Sequence, residues 1–178
     1  MQNTNRKTFS TIFKQDGLVA AVATVRSATV LPVKPTATLQ FSGYEWNVRT
    51  TMSSRNGPSH NYDPANTKVD SAGTLHLLLT RKQGHWTCSE VILAKSLGYG
   101  TYLFTVRDVS QFEPATVFNV FTWDDHLEGN HRREMDVEIS RWGDHDQENA
   151  RYVVQPFYVP ANNFRFTAPP GQLTHSLH

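Results

Sequence analysis

The chain has 178 residues, 38% of them hydrophobic, 19% charged and 11% aromatic, with a formal net charge of +1 at pH 7. That is enough chain for one domain with its own core, and too apolar a composition for intrinsic disorder. A nearly balanced charge with no basic stripe among the aromatics argues against a nucleic-acid partner, no run reaches the ~18–20 apolar residues of a membrane-spanning helix, and a single cysteine, Cys88, excludes an intramolecular disulfide.

In chain order, residues 1–38 read as a leader or linker set apart from a domain over 39–178. Arg6, Lys7 and Lys14 precede the apolar run Gly17–Val25, the pattern of a degenerate signal peptide, with Asp16 and Arg26 as interruptions. Pro32 and Pro35 bracket a linker-like stretch. A loop with Gly57-Pro58 carries Asn56 and Asn61. Gly73 opens a strand over Thr74–Thr80, and Gln83-Gly84 turns the chain into a second over Trp86–Lys95, where Cys88 reads as a packed thiol. Gly98 and Gly100 break the pattern before Thr101–Arg107, in which Tyr102, Phe104 and Val106 alternate. Val117–Trp123 follows, with Phe118 and Val120 on one face and Asn119, Phe121 and Trp123 on the other.

The polar loop Asp124–His131 crowds Asp124, Asp125, His126, Glu128 and His131, in a spacing that matches no recognised metal-ligand pattern. A solvated loop is expected there, with no metal and no cofactor. Strands over Arg133–Ser140 and Arg151–Val159, a turn at Ala168–Gly171 and a last segment from Leu173 complete the chain. No helical stripe of useful length interrupts this series, so the expected class is an all-β sandwich or barrel.

The segment Glu134-Met135-Asp136-Val137-Glu138-Ile139 carries the chemistry. Successive side chains of a strand point to opposite faces, so Met135, Val137 and Ile139 share the core face while Glu134, Asp136 and Glu138 share the other. Same-face neighbours lie about 6.5–7 Å apart at Cα. Away from screening solvent, three such carboxylates raise the pKa of at least one, as a general acid at neutral pH requires. Glu134 and Glu138, about 13 Å apart at Cα, can lean together over Asp136 to the ~5–5.5 Å of a retaining glycosidase pair. A charged solvent face would show the same alternation. The single sign of the charges, and the tryptophans on either side (Trp123 and Trp142), favour a site.

These residues resemble glycoside hydrolase family 16, the family of licheninases and laminarinases, whose signature Glu-x-Asp-x-Glu here reads Glu134 to Glu138. Other segments are similar in order and spacing: Ser89-Glu90-Val91, Leu97-Gly98-Tyr99-Gly100-Thr101-Tyr102, Phe121-Thr122-Trp123, Gln155-Pro156-Phe157-Tyr158 and His175-Ser176-Leu177. The resemblance covers roughly residue 40 to the end. It implies a concanavalin-like jelly-roll sandwich of two antiparallel sheets with a sugar cleft. It further implies Glu134 as nucleophile, Asp136 as electrostatic helper and Glu138 as acid/base of a retaining endo-glycosidase acting on a β-glucan-like polysaccharide. Such an enzyme would need no cofactor, and would work as an extracellular or periplasmic monomer.

Trp123, Tyr99, Trp142 and Trp46 are candidates for stacking on sugar rings, with Glu90 and Asn61 as polar substrate contacts. Arg132-Arg133 stands where the family often has an aromatic residue, and Ile92 where an arginine often follows the Ser-Glu pair; both departures fall on substrate subsites. The family's strands beyond His-x-Tyr are missing, which reads as a domain incomplete at its C-terminus. Two other functions are carried alongside: a non-catalytic lectin-like sandwich, betrayed by glycan binding without reducing-end release, and an inactive fragment.

Overall fold

The computed structural model describes residues 37–50, 61–123 and 133–178, together with the backbone pairing of 6–13 and 23–24. The loop Asp124–His131, Asn56 and most of the apolar run Gly17–Val25 lie outside the described residues. Among the described residues the protein is all-β, with two short 3-10 turns at Pro64–Asn66 and Pro160–Asn162, and no helix long and apolar enough to cross a membrane.

The strands are β1 (Arg6–Phe13), β2 (Ala23–Thr24), β3 (Ala37–Phe41), β4 (Tyr44–Val48), β5 (Thr67–Val69), β6 (Leu75–Leu77), β7 (Thr80–Lys82), β8 (His85–Thr87), β9 (Glu90–Leu93), β10 (Tyr102–Val106), β11 (Thr116–Trp123), β12 (Met135–Ile139), β13 (Ala150–Val154), β14 (Asn163–Phe166) and β15 (Leu173–Leu177). Nine of them form one sheet in the order β14-β13-β12-β11-β1-β9-β4-β3, with β2 beside β9. The pairs β5–β6, β7–β8 and β10–β15 make three smaller sheets. Every strand pair is antiparallel except β2–β9.

Part of the segment read as leader or linker thus has a place in the sheet: Arg6–Phe13 runs between β11 and β9. Strands β3, β4, β5 and β14 carry no signal strong enough to be read in advance, being three to five residues of mixed polarity. The strand expected over Arg151–Val159 ends at Val154. Pro156, which has no N–H for a ladder, follows, and the chain turns. Two hairpins close on two-residue turns with both residues at positive φ, Ser42-Gly43 and Gln83-Gly84. Their twist matches that of paired strands, and glycine takes the second position without a Cβ penalty.

Alternation decides what these strands bury. Val91, Val120, Val137, Ile139 and Ala150 are sealed from solvent on one face of the large sheet. Tyr102, Phe104 and Val106 of β10 and Leu173 and Leu177 of β15 pack into the same cluster from the smaller sheet. Two antiparallel layers over one core are consistent with a β-sandwich. Cys88 is a buried free thiol, as read from its strand context, and burial pushes its pKa up to about 12.

Candidate active site

The register places the acids. Asp136 lies opposite Phe121 of β11 and Val153 of β13; Glu138 lies opposite Asn119 and Arg151; Arg151 in turn lies opposite Arg165 of β14. Directly opposed residues share a face, so Asn119, Glu138, Arg151 and Arg165 form one row across the sheet. Asp136, Val153 and Asn163 form the next. Glu134 sits one residue before β12, and its carbonyl accepts the Gln155 N–H at 3.0 Å, continuing the ladder past the strand end. The trio on one face and Val137 and Ile139 in the core are as alternation dictates.

The middle of this face is shielded from solvent, while Glu134, Glu138, Arg151 and Arg165 around it are half-buried. Asp136 is 3% exposed, and Phe121 and Trp123 beside it 6% and 5%. Asn119 Nδ2 donates to Asp136 Oδ1 at 3.3 Å, while Asp136 Oδ2 and Asn119 Oδ1 have no hydrogen-bond partner. Burial drives the Asp136 pKa well above the usual carboxylate range. The negative charges of Glu134 and Glu138 push it further, against weaker opposing effects of Asn119 and Arg151. Asp136 therefore holds a proton where an exposed aspartate would not.

A stability consequence follows. In the unfolded chain Asp136 titrates near 3.8. Its raised folded pKa makes its contribution to stability greatest below that value, and the contribution is lost as pH rises through the folded pKa. Asp136→Asn, which carries no charge at any pH, is expected to gain stability over the parent between pH 4 and pH 8, by about 1.4 kcal/mol for each unit by which the folded pKa stands above the unfolded one. The gain shrinks toward pH 4. Guanidinium denaturation at the two pH values checks this, and an equal difference at both would contradict it.

Of the six buried polar side-chain atoms without a partner among the described residues, four lie on this face: Asp136 Oδ2, Asn119 Oδ1, Asn163 Oδ1 and Arg165 Nη1. Native structures leave few such atoms, and each calls for an explanation. Here they gather beside the carboxylates.

The other expected contacts divide. Trp123 lies on the acid face but is buried, meeting Phe121 edge-on at 6.1 Å. It offers little surface for a sugar to stack on. Trp142 lies against two guanidiniums, Arg151 at 4.6 Å and Arg165 at 4.4 Å from its ring centroid, so its indole already packs on protein cations. Glu90 shares the face but stands three strands from Glu138, about 14 Å at ordinary strand spacing. It is 1% exposed, and Arg49 Nη1 binds its Oε2 at 2.5 Å.

Asn61 belongs to that second cluster through its backbone, its carbonyl accepting from the Cys88 N–H (2.8 Å) and thiol (3.2 Å). Tyr99 and Trp46 lie elsewhere, on a hollow of about 360 Å³ between the β3–β4 hairpin and β10. There Tyr99 is 82% exposed, and Trp46, 5% exposed, donates its ring N–H to Phe41 O.

Residues not singled out from the sequence complete the site. Arg151 donates its Nε to Glu138 Oε2, and Asn119 holds Asp136. The parity of Arg151 within its strand was a usable signal; Arg165 sits in a strand that gave none. No family model matches the chain, and neither a curated protein nor a solved structure matches it.

Proposed function

We propose that the protein is a retaining endo-glycosidase acting on a β-glucan-like polysaccharide, with the acid face of β12 as its active site and a jelly-roll sandwich as its frame. The observation that carries this reading is the trio Glu134, Asp136 and Glu138 on one face, with the central acid buried and driven toward its protonated form by burial and by its half-buried neighbours. A mere solvent-facing row of charges would not bury its central member.

In the proposed reaction a Glu134 oxygen attacks the anomeric carbon as the glycosidic C–O bond breaks, and the leaving oxygen takes the proton of Glu138. Water then attacks the same carbon, gives its proton to Glu138 and releases Glu134. Protonated Asp136 spares the site a third negative charge. Arg151 occupies Glu138 Oε2 and must let go of it for proton transfer. A polymeric substrate would place the work outside the cytoplasm.

The Arg151–Glu138 contact favours a second reading, a lectin-like module in which the acids only bind. Incubation with a panel of β-glycans separates the two. The enzyme releases reducing ends whose first-formed configuration is retained. Glycan retention without new reducing ends supports the binding module.

A further inference from the structure

The row Glu138, Arg151 and Arg165 sets two guanidiniums against one carboxylate, on neighbouring strands of one face. Arg151 is ion-paired with Glu138. Arg165 makes no ion pair among the described residues, and its buried Nη1 has no hydrogen-bond partner.

Like charges are nonetheless held together here. Trp142 lies against both guanidiniums, with Arg151 4.6 Å and Arg165 4.4 Å from its ring centroid, which stabilises each by cation–π attraction. The clamp itself has an uncommon backbone, with Trp142 at φ +49 and its N–H held by Ser140 Oγ at 2.8 Å. Bulky side chains rarely adopt that conformation, and such residues cluster at ligand-binding places. As an internal support alone, the stack would leave a buried donor unmet.

We propose that Arg151, Trp142 and Arg165 form an anion-recognising subsite, so that the glycan taken by this face carries carboxylate or sulfate-ester groups. This rests on the reading of the acid face as a glycan site. Guanidinium forks match the oxygens of either group with paired, charge-assisted hydrogen bonds. An anion seated between the arginines also draws Arg151 away from Glu138, freeing the oxygen that proton transfer needs. β14 lies two strands from β12, about 10 Å, so the charged group sits on a sugar near the cleaved bond, not on the cleaved bond itself.

The test uses matched oligosaccharides on β-glucan and β-galactan backbones, each neutral, oxidised to the 6-carboxylate, or 6-O-sulfated. Binding to the full chain carrying Glu134→Gln is measured by calorimetry at 50 and 200 mM salt. At least one anionic member is expected to bind about 10-fold or more tightly than its neutral counterpart, and to weaken as salt rises. The better of the carboxylate and sulfate arms names the group.

Arg165→Gln should abolish the preference, bringing the anionic members down to the level of their neutral counterparts, and Arg165→Lys, which keeps charge but not the fork, should restore only part of it. Neutral and anionic members binding alike in the unsubstituted Arg165 background overturns the subsite, whether or not Arg165→Gln folds. So does the absence of binding by every member. Reducing-end release from a neutral glycan, assayed separately with Glu134 intact, leaves the hydrolase reading standing in the first case.

Discussion

Glu134→Gln is expected to lower kcat/KM by at least about 10⁴-fold while leaving the folded protein intact. Losses of this size attend removal of a covalent nucleophile. An amide has the shape of the carboxylate it replaces but cannot form the glycosyl ester. Glu134 lies at the end of β12 and outside the buried core, so little packing is lost. The change also removes one of the two charges that raise the Asp136 pKa.

A second variant makes the assignment chemical. With Glu134→Ala and added azide, the azide nitrogen attacks the anomeric carbon, Glu138 protonates the departing sugar, and a glycosyl azide of inverted configuration accumulates. Rates measured against the parent, with product configuration by NMR, check both. Turnover within 10-fold of the parent in Glu134→Gln would remove Glu134 from the mechanism.

The largest expected loss of stability lies elsewhere on the same face. Arg49→Ala should cost about 3–5 kcal/mol, the usual penalty for breaking a buried ion pair from one side. Arg49 is 9% and Glu90 1% exposed, and their contact is 2.5 Å. The Arg49 guanidinium also lies 4.3 Å from the Tyr62 ring centroid. Without it the Glu90 charge stays in the interior beside the buried Cys88 thiol. At about 2–4 °C per kcal/mol for a domain of this size, the melting temperature should fall by roughly 6–20 °C. Adding Glu90→Gln should recover part of the loss by removing the buried charge. Thermal melts of both variants test this, and an Arg49→Ala protein that melts within ~2 °C of the parent would show that the pair is not buried in solution.

This second result bears on how Glu90 is understood. The motif around it suggests a substrate contact, and its face is the right one. What sequence spacing does not show is a guanidinium from 41 residues earlier, which turns a potential ligand into a structural support. Trp142 changes role in the same way. A tryptophan beside the acid-bearing strand reads as a sugar platform, but Arg151 and Arg165 come from two other strands and pack against its ring. Tyr99, from the glycine-rich turn, goes to a different hollow altogether.

The sequence by itself determined the all-β class, the strands around Tyr102–Val106, Thr116–Trp123 and Met135–Ile139, the Gln83-Gly84 hairpin and the shared face of the three acids. These are local properties, fixed by the two-residue period of a strand and by the backbone freedom of glycine. Only the tertiary structure decided which strands stand beside β12. Pairing register between segments distant in sequence is set by how whole faces pack, and no single segment contains it. That register brings Arg151 to Glu138 and Asn119 to Asp136, carries Arg165 into the same row, and sends Glu90 three strands away to Arg49. The burial that goes with it turns three alternating acids into a group whose central member titrates above the usual carboxylate range.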